Sequence, residues 1–265
     1  MRFVERLSAA TGIEKEKLPA SYQVLGHVFL SKMLRLNKGE KTIVAKTIME
    51  ILPYVKTVCE ISAVTGELRQ PVVTKIAGNG TETIHRESGI IYKLDTAKIM
   101  FSKGNFSERK RLLDSVRPDE TIIDMFAGIG YFTLGIAKKA KKVIAIEKNE
   151  EAFRYLIENV KLNSLTNVEL INADNRAVAL EEKADRILMG YFPSTEAFLP
   201  AAVRMAKPDA VIHYHNVCNE SELWGNEMEK IRNMVGNFDV ITKKKVKDVA
   251  PRRVHYVVDL KLKEI

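Results

Sequence analysis

Asp124-Met125-Phe126-Ala127-Gly128-Ile129-Gly130-Tyr131-Phe132 joins an apolar stretch, Thr121-Ile122-Ile123, to a segment with helical apolar spacing, Tyr131 to Ala140. The leading stretch reads as a short buried strand. The two glycines supply a tight turn where backbone can approach a ligand closely. Strand, glycine turn and helix in that order build a nucleotide-binding corner. About twenty residues on, such folds place an acid against ribose hydroxyls, and here Val143-Ile144-Ala145-Ile146 ends in Glu147.

The run lacks the third glycine of a dinucleotide fingerprint, and Asp124 stands where NAD-binding folds have an apolar residue. It resembles the first motif of the class I methyltransferase-like fold, which binds S-adenosylmethionine (SAM). An ordinary strand-turn-helix without a ligand is the competing reading. The glycine pair leaves the two even, and Glu147 favours the SAM site.

The 265 residues suffice for one large domain, or a standard domain with a smaller companion. Hydrophobic residues make up 46% and charged residues 29%, a soluble globular balance. No apolar run is long enough for a membrane span, and no signal-peptide core is present at the start. Cys59 and Cys218 stand far apart, which argues against a disulfide framework or zinc ribbon and fits a reducing cytoplasm. A net charge of +8 suits a polyanionic partner such as RNA, although general basicity gives the same figure.

From Pro118 onward short apolar runs alternate with helical patterns. Strands are expected at Thr121–Met125, Lys142–Glu147, Val168–Asn172, Arg186–Met189 and Ala210–Tyr214. Helices are expected at Tyr131–Ala140, Glu150–Leu162, Arg176–Glu181 and Thr195–Ala206. That alternation predicts a parallel sheet with helices on both faces. A helix at Ser221–Met234 then leads to strands Phe238–Val246 and Val254–Leu260, an antiparallel pair at the sheet edge. Residues 1–95 read as a small α+β module. It has a strand-like run Tyr22–Met33, a helix Lys41–Leu52 stopped by Pro53, and short strands at Thr57–Ser62, Val72–Ala77, Thr83–Glu87 and Ile90–Leu94. The expected division is therefore 1–95 and 96–265.

Asn172-Ala173-Asp174-Asn175-Arg176 ends the third parallel strand, beside the adenine in this fold. Asp174 can accept from the exocyclic amine and Asn175 can supply a side-chain amide. Both also cap helices well. Met189-Gly190-Tyr191-Phe192-Pro193-Ser194 ends the fourth strand. Many base-modifying methyltransferases carry a polar acceptor there, and Met189 cannot fill that role. An apolar, aromatic loop suits stacking of a large extruded base. Ser102 and Arg109, at the domain junction, suit the carboxylate of SAM, although on the residues alone a solvated linker helix is the stronger reading. His213 and His215 fall on one strand face, but only His27, His85 and His255 remain as further histidines, so no metal is expected. Lys243-Lys244-Lys245, Lys247 and Arg252-Arg253 form the densest basic stretch, either phosphate-binding or a solvated edge strand.

F-S-K-G-N-x-x-E-R-K-R (101–111), D-M-F-A-G-I-G-Y-F (124–132), A-I-E-K-N (145–149), A-D-N-R (173–176), A-D-R-I-L-M-G-Y-F-P-S (184–194) and I-H-Y-H (212–215) together resemble the archaeal tRNA-wybutosine aminocarboxypropyltransferase family. That family is sister to the tRNA guanosine-37 N1-methyltransferases, and the resemblance runs from about Pro19 to the C-terminus. The methyltransferases have F-S-P-R where this chain has Phe101-Ser102-Lys103-Gly104. They have proline after G-V-G where it has Tyr131, and Asn-Leu-Pro where it has Met189-Gly190-Tyr191. All three departures point to the aminocarboxypropyl branch.

The resemblance implies a Rossmann-like catalytic domain with a tRNA-docking N-terminal module. It implies transfer of the 3-amino-3-carboxypropyl group of SAM to carbon 7 of 4-demethylwyosine, in the anticodon region of tRNA-Phe. Ser102 and Arg109 would hold the methionine portion, Phe126, Ala127 and Gly128 the glycine turn, Glu147 the ribose, and Asp174 with Asn175 the adenine. Tyr191, Phe192 and Pro193 would face the base, with no side chain assigned as a catalytic acid or base. No metal, membrane or protein partner is expected. An N1-methyltransferase and a non-catalytic RNA-binding protein with a SAM-type fold are the alternatives.

Overall fold

The computed structural model describes residues 2–102 and 106–263, arranged as two compact units, Met1–Phe106 and Ser107–Ile265. Residues 103–105, part of the F-S-K-G-N motif, lie outside the described residues.

The first unit opens with α1 (Phe3–Thr11), a helix not foreseen in the sequence. The run Tyr22–Met33 is not one strand. It divides into β1 (Tyr22–Leu25) and β2 (Val28–Ser31). Gly26 breaks it with φ +52°, in space where a Cβ would lie 2.3 Å from the Ile84 carbonyl oxygen. α2 (Lys38–Ile51) starts on an Asn37–Glu40 capping box and ends before Pro53. β3 (Thr57–Thr65) and β4 (Gln70–Gly78) complete a sheet of order β1-β2-β3-β4, with only β2 and β3 parallel. Leu7, Phe29, Val44, Ile48 and Val58 form its core. A separate hairpin pairs β5 (Glu82–Glu87) with β6 (Ile90–Asp95).

The second unit is built on seven strands: β7 (Thr121–Asp124), β8 (Lys142–Ile146), β9 (Val168–Ile171), β10 (Ala184–Met189), β11 (Ala206–Asn219), β12 (Phe238–Ala250) and β13 (Arg253–Leu262). Their order is β12-β13-β11-β10-β7-β8-β9. β7 to β11 run parallel, and β13 and β12 form the expected antiparallel edge. α3 (Phe106–Ser115) precedes them, and between them come α4 (Thr133–Ala137), α5 (Glu150–Leu162), α6 (Leu199–Met205) and α7 (Asn226–Val235). Alternate residues divide between two cores. Ile122, Val143 and Leu188 pack with Leu112 of α3 and Ile136 of α4, whereas Ile123, Ile144 and Met189 pack with Ala202 of α6 and Ile231 of α7. Both faces of the central strands are covered, so β7 and β8 are almost wholly buried around apolar runs, whereas the edge strand β12 is more polar and largely exposed.

Several helices are shorter than their patterns predict. Arg176–Glu181 is not helical. Asp174 accepts from the Arg176 N–H and guanidinium, and one turn closes from Ala177 N–H to Asp174 O at 2.9 Å. So short a segment cannot propagate a helix by itself. Tyr131–Ala140 reduces to α4 inside flanking turns, and Thr195–Phe198 is a 3-10 turn ahead of α6. Ser221–Met234 contracts to α7. β11 outruns its predicted span because β13 keeps pairing with it as far as Asn219 and Arg253. Cys59 and Cys218 are free and buried, and burial pushes both thiols up to about 11.

Candidate active site

β7 delivers Asp124 into the glycine turn, fully buried. Asp124 accepts from Thr133 Oγ1 (2.8 Å) and Phe126 N–H (3.3 Å), yet burial still pushes its carboxyl up to about 6. Met125 N–H donates to Leu188 O and Ala127 N–H to Ile146 O, both at 3.0 Å, so strands on either side hold the turn. Gly130 has φ +99°, and a Cβ there would meet Leu134 Cγ at 2.5 Å. Glu147 accepts from Gly128 N–H and Asn149 N–H, each at 2.7 Å, one on each oxygen. Burial raises its pKa against the backbone N–H groups of Asn149, Gly128 and Lys148, and a carboxylate with about four acceptor positions still has capacity to spare. Asn175 donates through Nδ2 to Met125 O at 2.7 Å. Its Oδ1 is buried without a hydrogen-bond partner, so the amide offers an open acceptor. A glycine turn flanked by a carboxylate with spare acceptor positions and an orphaned amide oxygen fits a nucleoside bearing ribose hydroxyls and an exocyclic amine.

Phe126 and Tyr191 stack with centroids 5.0 Å apart, and Phe198 meets both edge-on. The Arg176 guanidinium lies 4.9 Å from the Phe198 centroid and also pairs with Asp174 at 2.6 Å. Arg176, with Lys148, holds the Asp174 carboxyl well below the usual carboxylate range. The glycine turn and the loop after β10 are thus joined by one aromatic cluster. Phe192 packs instead on His255, centroids 4.3 Å apart. Pro193 lines a cavity of about 220 Å³ with Glu196, Tyr214 and Asn216. Arg109 is half-buried on α3, and Ser102 belongs to the first unit.

A buried ionic chain runs beside this site. Arg186 grips Glu120 through two 2.8 Å hydrogen bonds and donates to His213 Nε2. His213 Nε2 must then be the acceptor, so its proton sits on Nδ1, which donates to Asp259 Oδ1 at 2.6 Å. Asp259 and Glu108 share Arg111, and Lys244 Nζ lies 3.7 Å from Glu108. Burial lowers the His213 pKa, keeping the ring neutral. The signals available in the sequence are Arg186 and Asp259 inside otherwise apolar strands and Glu108 beside Arg109. Among the described residues, no group of three or more His, Cys, Asp or Glu side chains is placed to hold a metal.

The family model described as "TRM5/TYW2 methyltransferase domain" matches residues 83–242, and the model "TYW2 N-terminal domain" matches residues 5–81. The chain belongs to the TRM5/TYW2 family. Among TRM5/TYW2 relatives, the tRNA(Phe) (4-demethylwyosine(37)-C(7)) aminocarboxypropyltransferase of Methanocaldococcus jannaschii is 42% identical, covering 92% of this chain and 98% of its own. The tRNA (guanine(37)-N(1))-methyltransferase Trm5b of Pyrococcus abyssi is 37% identical, covering 92% and 76%. The crystal structure of Pyrococcus horikoshii TYW2 in complex with MeSAdo covers 98% of both chains at 37% identity, with a TM-score of 0.85. The second unit thus has the class I SAM-methyltransferase-like fold of the TRM5/TYW2 proteins. Among the described residues no helix is long and apolar enough to cross a membrane.

Proposed function

We propose that this chain is a SAM-dependent tRNA aminocarboxypropyltransferase. It moves the 3-amino-3-carboxypropyl group to carbon 7 of 4-demethylwyosine at position 37 of tRNA-Phe and releases methylthioadenosine. The observation that carries this reading is the 42% identity, over nearly the full length of both chains, to a protein named for that reaction. The loop Met189-Gly190-Tyr191, which has no polar acceptor side chain at Met189, favours it over N1-methyl transfer.

The sulfonium of SAM activates each carbon attached to it, and whichever is aimed in line at the nucleophile reacts. The carbon–sulfur bond breaks with its electron pair going to sulfur, a carbon–carbon bond forms at carbon 7, and a proton leaves. The protein's task is orientation. Glu147 takes the ribose hydroxyls on its spare acceptor positions. Asn175 Oδ1, with Asp174, takes the adenine amine, and Phe126, Ala127 and Gly128 line the turn. Arg109 suits the carboxylate of the methionine portion, and Ser102 keeps that role on the resemblance alone. Tyr191, Phe192 and Pro193 face the base. The N-terminal unit helps dock tRNA, the anticodon region of tRNA-Phe is the part engaged, and the free, buried thiols suit the cytoplasm.

Mass spectrometry of tRNA-Phe nucleosides from cells lacking this gene tests the assignment. The expected product is accumulated 4-demethylwyosine, restored to its aminocarboxypropyl derivative on complementation. Accumulated unmethylated guanosine would make the chain an N1-methyltransferase. Calorimetry in which neither SAM nor methylthioadenosine binds would favour a non-catalytic RNA-binding protein.

A further inference from the structure

Two buried imidazoles lie under the loop that follows β10. His215 on β11 and His255 on β13 are 3% and 0% exposed, and His215 Nδ1 is 3.2 Å from His255 Nε2. His255 carries the Phe192 ring, with centroids 4.3 Å apart and planes at 32°. His215 lies beside Phe132, centroids 5.9 Å apart. Phe132 in turn fills the space in front of Gly190, where a Cβ would come within 2.6 Å of its ring. Both neighbours of Tyr191 therefore meet the histidine pair, Phe192 directly on His255 and Gly190 through the Phe132 ring beside His215. On its far side His215 Nε2, buried and without a hydrogen-bond partner, is 3.8 Å from Glu108 Oε1.

Apolar side chains would fill this volume without burying imidazole nitrogens, which are costly to remove from water. What imidazoles add is direction. One neutral ring donates and the other accepts, so the hydrogen bond fixes both ring planes, and a fixed plane sets the tilt of an aromatic ring packed on it. Burial pushes His215 down to about 3, so that ring is neutral at physiological pH.

We propose that His215 and His255 are positioning residues for the target base. Their hydrogen-bonded pair fixes Phe192, and with Phe132 it fixes the Gly190–Pro193 loop against which the base is held. This rests on the reading of that loop as the base-contacting one.

Leucine and asparagine at position 215 separate direction from packing. His215→Leu removes the hydrogen bond, whereas His215→Asn places an amide near the lost Nδ1. Turnover is counted as either labelled portion of SAM entering tRNA, at saturating SAM and tRNA, so the result does not depend on which group is transferred. SAM affinity is measured separately by calorimetry. His215→Leu is expected to lower turnover about tenfold or more while the SAM dissociation constant stays within about twofold, and His215→Asn to recover to within about threefold of wild type. Wild-type turnover in the leucine variant overturns the proposal, as does an asparagine variant no better than leucine. If the leucine variant does not fold, Phe192→Leu replaces it. The same loss of turnover at unchanged SAM affinity is then required, and wild-type turnover there overturns the proposal equally. A wild-type protein that puts neither label into tRNA contradicts the proposed function instead.

Discussion

Glu147 and Asp124 meet the same glycine turn, but burial asks different things of them. Glu147 keeps acceptor capacity beyond the N–H groups of Gly128, Lys148 and Asn149. Glu147→Ala should weaken SAM binding roughly ten- to hundredfold by calorimetry, the loss of one or two hydrogen bonds to a charged acceptor. Unchanged affinity would undo the assignment. Asp124 is raised by burial from 3.8 to about 6. The folded chain therefore binds the extra proton between those values. Asp124's contribution to stability is fully present below the unfolded pKa and is lost as pH rises through the folded one. Denaturant unfolding of wild type and Asp124→Asn should show the wild-type advantage falling by on the order of 2–3 kcal/mol between pH 4 and pH 7. A constant difference would contradict the raised pKa. Asn175 shows the limit of reading single residues. Its residue type announces an amide, but only the fold reveals that Met125 O takes one Nδ2 hydrogen while Oδ1 is left open.

At the scale of elements, α3 is tied to β13 by Arg111, which serves the buried carboxylates of Glu108 and Asp259 at once. Arg111→Met takes away the guanidinium that both carboxylates share, leaving Asp259 only His213 and Glu108 only the more distant Lys244, and should cost about 3–5 kcal/mol in denaturant unfolding. A loss below about 1 kcal/mol would show the network to be incidental. Arg111 and Asp259 stand 148 positions apart. No local pattern pairs them, so the ionic chain was not legible in the sequence. What was legible is what local chemistry dictates. β7, β8 and the Ile187–Met189 end of β10 are apolar runs, the glycine turn lies between strand and helix, and the chain ends in an antiparallel edge pair. Misreadings arose where tertiary partners decide. Gly26 splits Tyr22–Met33 because Ile84 presses on it, and Asp174 captures Arg176 before a helix can form. The basic stretch on β12 reads equally from sequence as phosphate-binding or as a solvated edge. There Lys245 pairs with Glu220 and Asp248, and Lys244 lies near Glu108, which offsets part of its charge.

Across the whole molecule the net charge of +8 suits a polyanion held through its backbone. Binding of tRNA should weaken steeply between about 50 and 200 mM salt, with a log–log slope of about 0.7–0.9 per phosphate contacted. A flat salt response would contradict backbone docking. The central claim is narrower: the pocket aims the amino-acid arm of SAM, not its methyl group, at the nucleoside. Two preparations of SAM, one labelled in the methyl group and one in the carboxypropyl portion, decide it when incubated with the enzyme and tRNA-Phe carrying 4-demethylwyosine. The account predicts that only carboxypropyl label enters the tRNA while methyl label leaves as methylthioadenosine. Methyl label in the tRNA would contradict it.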